Sequence, residues 1–199
     1  MNFSSWRLVI AEFPERTVPS PLAQCNARYR AARQFTSMKF AGMGADASEG
    51  YSLLMKVSLS YSALESLEST FGSPHGAKLD FIAARSQSLA TEFRGLYFEK
   101  LMDDLASTIT VKAIQRNFDA MRNADSDDVR SIAQAIRNAF FHPRVTPSGL
   151  NLSSATRKNA LYQLSRVVIE SVDNSFTERW QRYLEGELII QSVRDGKTT

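Results

Sequence analysis

Arg137, Asn138 and His142 bring a guanidinium, an amide and an imidazole into one short stretch, and these are side chains suited to phosphoryl-transfer chemistry. Imidazole changes charge near neutral pH, so it can take up and return a proton. Guanidinium is planar and always charged, and it forks onto two phosphate oxygens at once. The run Arg137-Asn138-Ala139-Phe140-Phe141-His142 leads directly into Pro143. Proline disfavours helical backbone at the residue before it, so the helix carrying Arg137 should end at His142 and release the ring from the helical surface. There the negative end of the helix dipole favours a protonated imidazole by roughly 0.3–1 kcal/mol. Asn138 lies four residues before His142, close enough across the last turn to orient the ring or to touch substrate. RNA can be cut by its own 2′-hydroxyl when one group removes that proton, another protonates the leaving oxygen, and a cation stabilises the phosphorane.

The elements that must hold these residues read as helices. Ser20 is placed to cap a helix with Pro21 in its first turn, running to about residue 40 with Leu22, Cys25, Ala32 and Phe35 inward. The small-residue stretch 42–50 lacks the lysine of a phosphate-binding loop and reads as a connector. Leu54, Val57, Tyr61, Leu64, Leu67 and Phe71 recur every three or four residues, as one helix face requires. A second long helix is expected over about 79–106, with Phe81, Leu89, Phe93, Leu96, Tyr97, Leu101 and Leu105 inward. Gly95 weakens it by roughly 1 kcal/mol without ending it. A shorter helix over 110–122 uses Val111, Ile114, Phe118 and Met121. The acidic run Asp125-Ser126-Asp127-Asp128 then offers oxygen caps and negative charge to the start of the motif helix, which buries Val129, Ile132, Ala133, Ile136 and Phe140. Ser153 or Ser154 begins the last helix, whose face is Leu161, Leu164, Val168, Val172, Phe176, Trp180 and Tyr183. Strand patterning is nearly absent, so the predicted class is all-α, a bundle of about five to six helices. Residues 1–20 are expected to be an irregular segment, 21–190 one helical domain and 191–199 a frayed tail.

Bulk properties are consistent with this. The 199 residues are 43% hydrophobic and 23% charged, enough for a buried core and ordinary for a water-exposed surface. No run approaches the ~18 apolar residues that a membrane helix needs, and the start lacks a signal-peptide layout. The lone Cys25 excludes an internal disulfide and a multi-cysteine zinc site, which makes a cytoplasmic, reducing location the expectation. Net charge is only +3 and there is no basic block, so polyanion binding would have to come from a folded surface. Arg144, Arg157 and Arg166 are candidates for a phosphate-tracking rim. His75 sits in a Pro/Gly turn and reads as an exposed loop residue. Asp103-Asp104 and Asp125–Asp128 have no calcium-loop spacing, so capping and solvation account for them and no metal site is expected. There is no Gly-x-Ser-x-Gly elbow for a hydrolase triad.

Arg137-Asn138-x-x-x-His142, near a helix end in an all-helical chain, resembles the RxxxxH motif of the HEPN superfamily. With 17 arginines and two histidines the bare spacing arises by chance in roughly one such chain in six, so the asparagine, helix end and all-α setting carry the resemblance. Many members carry a small residue, often glycine, after the histidine, where this chain has Pro143. The resemblance implies a HEPN-like bundle and a metal-independent endoribonuclease without cofactor, with Arg137, Asn138 and His142 as its functional residues. It also implies a homodimer that joins two motifs at one cleft, and Phe141, off the main apolar face, is placed to meet the second protomer. RNA is then the expected substrate. The setting would be toxin–antitoxin or phage defence, with an antitoxin or a nucleotidyltransferase as candidate partner. The alternative is a non-catalytic helical module that binds RNA, nucleotide or a protein through the same surface.

Overall fold

A computed structural model describes residues 18–71, 83–141 and 154–187, with the isolated positions 12, 146, 147, 152 and 190. Among them the regular structure is helical, with seven α-helices and no strand. The helices are α1 (Ser20–Gln34), α2 (Ala45–Phe71), α3 (Ala83–Arg94), α4 (Glu99–Thr108), α5 (Lys112–Arg122), α6 (Arg130–Phe141) and α7 (Ala155–Leu184). None of the helices is long and apolar enough to cross a membrane. The segment expected to be irregular lies outside the described residues up to 17, except for position 12, and so do the expected tail 191–199, Phe81 and Ser153.

α2 is the centre of the bundle and packs on α7, α1 and α6. Its predicted face is buried from Leu54 to Phe71, and the face of α7 from Leu161 to Trp180 is buried with it. Phe71 meets Phe176 edge-on at 6.0 Å, and Phe176 stacks on Trp180 at 6.3 Å. Serines fill inward positions between these large side chains, keeping the helices close. Their hydroxyls return to the carbonyl one turn back, as in Ser58 to Leu54 (2.8 Å) and Ser171 to Val167 (2.7 Å). Cys25 lies in the same core, and burial pushes its thiol up to about 12.

The helix boundaries depart from the sequence reading in three places. Pro19, not Ser20, occupies the cap position of α1, and the Ser20 hydroxyl instead accepts a bond from Gln24 (3.2 Å). α1 also ends at Gln34, short of residue 40, because α2 side chains serve the next backbone groups: Lys56 donates to the Phe35 carbonyl (3.0 Å), and Ser52 accepts from Met38 N–H (2.8 Å). Second, the connector is shorter than expected, since 45–50 belong to α2. Third, the long helix over 79–106 is interrupted. Gly95 takes extended backbone (ψ 152°), and a 3₁₀ turn at Leu96–Phe98 separates α3 from α4. The turn drives Phe98 inward against Phe93 (5.0 Å) and leaves Leu96 89% exposed, so Leu96 and Tyr97 are not core residues. Splitting this helix raises the count from six to seven. Val111, also expected inward, is exposed just before α5, while Phe118 and Met121 are buried.

Candidate functional site

The acidic run before α6 acts as a helix start, as its chemistry suggested. The Asp128 carboxylate accepts the Arg130 backbone N–H (3.0 Å) and holds the Arg130 guanidinium through Nε (2.7 Å) and Nη2. Asp127 pairs with Arg94, and its carbonyl accepts from Ser86, tying the start of α6 to α3. Val129, Ile132, Ala133, Ile136 and Ala139 then bury one face, while Phe140 is only partly covered. This anchoring sets the outward direction of Arg137 and Asn138 in the last turn.

Arg137 is held on three sides. Its Nη1 donates to Asn138 Oδ1 (2.9 Å), its Nη2 donates to Glu65 Oε2 on α2 (3.2 Å), and its guanidinium carbon lies 6.0 Å from the Phe141 ring centre. The side chain remains 33% exposed, so its outer edge can be reached from solvent. Its Nε is buried and has no acceptor among the described residues. The arginine is aimed by its partners, and the exposed edge of its guanidinium is the part that a phosphate oxygen could reach. Phe141 is 54% exposed, as its place off the main face suggested.

Glu65 was not picked out from the sequence. It belongs to a polar strip on the flank of the α2 core face, Tyr61, Glu65 and Glu68, spaced four and three residues apart. The complementary cations on α6 are Arg130 and Arg137, seven apart, with Arg179 of α7 also nearby. Burial pushes the Tyr61 hydroxyl up, reinforced by Glu68 and Glu65, so it stays protonated at neutral pH. Burial also raises the Glu68 carboxyl, although Arg130 and Arg179 pull it down. Burial works against the Arg130 charge, but Asp128, with Glu68 and Tyr61, more than offsets it. Arg179 is shifted down, chiefly by burial. Within the sequence the only hint is that carboxylates on α2 and arginines on α6 each flank an apolar helix face; their pairing is fixed by the packing of the two helices.

The structure brings together Arg137, Asn138, Phe141 and Glu65. His142, Arg144, His75 and Pro143 lie outside the described residues. Arg157 donates to the Tyr97 carbonyl (2.8 and 3.2 Å) and covers the Tyr97 ring at 5.5 Å. Arg166 pairs with Glu170 one turn along α7 (3.4 Å). These two members of the expected rim therefore already have protein partners. Asp103 pairs with Arg122, in keeping with a solvated surface role. Among the described residues no three His, Cys, Asp or Glu side chains are grouped as metal ligands. Comparisons with protein-family models, with curated proteins and with solved structures gave no match to this chain.

Proposed function

We propose that this chain is a metal-independent endoribonuclease of the HEPN type that works at a composite site on a homodimer seam. The observation carrying this reading is the solvent-reachable Arg137, oriented by Asn138, Glu65 and Phe141 at the end of α6, five residues before His142. In the reaction His142 of one protomer takes the 2′-hydroxyl proton, and the 2′-oxygen attacks the adjacent phosphorus. The bond from phosphorus to the 5′-oxygen then breaks, and that oxygen receives a proton from the second histidine, leaving a 2′,3′-cyclic phosphate. Arg137 stabilises the extra negative charge on the phosphorane, and Asn138 offers its amide hydrogens to a phosphate oxygen. Two-fold symmetry supplies the base, the acid and two arginines at one seam. RNA is the substrate, with an antitoxin or nucleotidyltransferase as candidate partner and a cytoplasmic setting.

The test is incubation of end-labelled RNA in EDTA with the wild type and His142→Ala. Cleavage leaving cyclic phosphate ends, abolished in the variant, is the expected result, and equal cleavage by both proteins contradicts the reading. The carboxylate already seated on Arg137 favours a second reading, a non-catalytic helical module that binds RNA, nucleotide or a protein partner there. Binding without scission, lost in Arg137→Ala, would select it.

A further inference from the structure

A cleft of about 570 Å³ opens between the loop after α1, the first turns of α2, and Tyr162 on α7. Its size falls within the roughly 300–1,000 Å³ of small-molecule sites. Large apolar side chains usually withdraw from solvent, yet Phe40 (38% exposed), Met43 (37%) and Tyr162 (43%) all face this opening. Leu53 is a further apolar side chain of the lining. Two flat rings and a flexible thioether make walls that suit a planar apolar body.

Cations outnumber carboxylates in the cleft lining, two to one. Lys56 lines it, with its ammonium 5.9 Å from the Tyr162 ring centre. One of the three ammonium hydrogens goes to the Phe35 carbonyl (3.0 Å), which leaves two donors for a ligand. Lys39 is a second cation in the lining. The lining carboxylate, Glu49, is paired with Lys158, which it shares with Asp46 (3.1 Å), so this pairing offsets only part of the negative charge at that rim. Burial and the nearby Arg33 both work against the charge on Lys56, a cost that a bound anion would relieve.

We infer that this cleft binds a small aromatic anion, a carboxylate, sulfonate or phosphate attached to a flat ring, with the anionic group at Lys56 and the ring among Phe40, Met43 and Tyr162. The site is separate from Arg137 and does not depend on the ribonuclease reading. The probe is 1-anilinonaphthalene-8-sulfonate, followed by its fluorescence on the folded full-length chain, with neutral N-phenyl-1-naphthylamine as the uncharged comparator. The wild type should bind the sulfonate saturably at one site, and Lys56→Met should weaken it at least tenfold while leaving the neutral compound's affinity unchanged. Lys56→Arg, which keeps the charge and a donor for Phe35, should stay within about threefold of the wild type. Lys39→Ala, on the exposed loop, should lose about threefold with no change in melting temperature, which keeps the test informative should Lys56→Met fail to fold. Arg137→Ala should bind as the wild type does. Absence of saturable binding, equal affinity in the wild type and a folded Lys56→Met, or an unaltered affinity in Lys39→Ala would overturn the inference.

Discussion

Glu65 decides how ready Arg137 is for a phosphate. Its carboxylate, 3.2 Å from Nη2, aims the guanidinium but also occupies the donor edge that an RNA phosphate would use. Both partners are partly exposed, so the pair itself is worth no more than about 1 kcal/mol to folding. Glu65→Gln should therefore leave the melting temperature nearly unchanged and tighten binding of a non-cleavable 2′-O-methyl RNA several-fold, measured by fluorescence anisotropy. Weaker binding would show that Glu65 positions the arginine rather than competing for it. At this scale the sequence revealed half of the arrangement. Arg137 and Asn138 stand out because their residue types are chemically pointed and adjacent. Glu65 is 72 positions away from Arg137, and no local pattern pairs two residues so far apart before the helices are packed. Lys56 was hidden for the same reason, since its cleft forms only when the loop after α1 folds across α2.

Helix existence was readable from the three-and-four spacing of apolar residues, whereas helix ends were set by tertiary partners. Lys56 and Ser52 end α1 early by satisfying loop backbone groups, something no residue within α1 announces. Gly95 interrupts a run whose apolar spacing continues unbroken, because seating Phe98 against Phe93 outweighs helix continuity. Buried serines such as Ser58 on α2 and Ser171 on α7 are polar by type and inward by place, and bonds to their own backbones hide that from a hydrophobicity reading. Gly50 shows the same dependence on packing. A Cβ there would lie 2.6 Å from the Pro147 Cβ, so only glycine lets Pro147 sit this close to α2. Gly50→Ala should destabilise the protein by about 1–3 kcal/mol, the usual cost of overpacking, read as a lower midpoint in urea. A midpoint equal to the wild type would mean that the Pro147 contact yields at no cost.

The whole molecule carries a buried and a half-buried carboxyl whose ionisation opposes folding. Glu68 and Asp173 are both raised above their ordinary 4.5 and 3.8, mainly by burial. Between the ordinary and the folded values the native state holds more protons than the unfolded chain. Their contribution is thus complete below the ordinary values and is lost as pH rises through the folded ones. Glu68→Gln should melt higher than the wild type near pH 7, with the gap narrowing toward pH 4; a gap constant with pH would contradict this. Arg137 is one-third exposed and its ion pair with Glu65 is a partly solvated one, so its loss can be read through chemistry once folding is matched. The most direct measurement is the single-turnover cleavage rate of labelled RNA in EDTA by the wild type and Arg137→Ala, at matched melting temperatures. Loss of a phosphorane-stabilising cation should slow cleavage on the order of 100-fold or more. Equal rates in the two proteins would contradict the central claim.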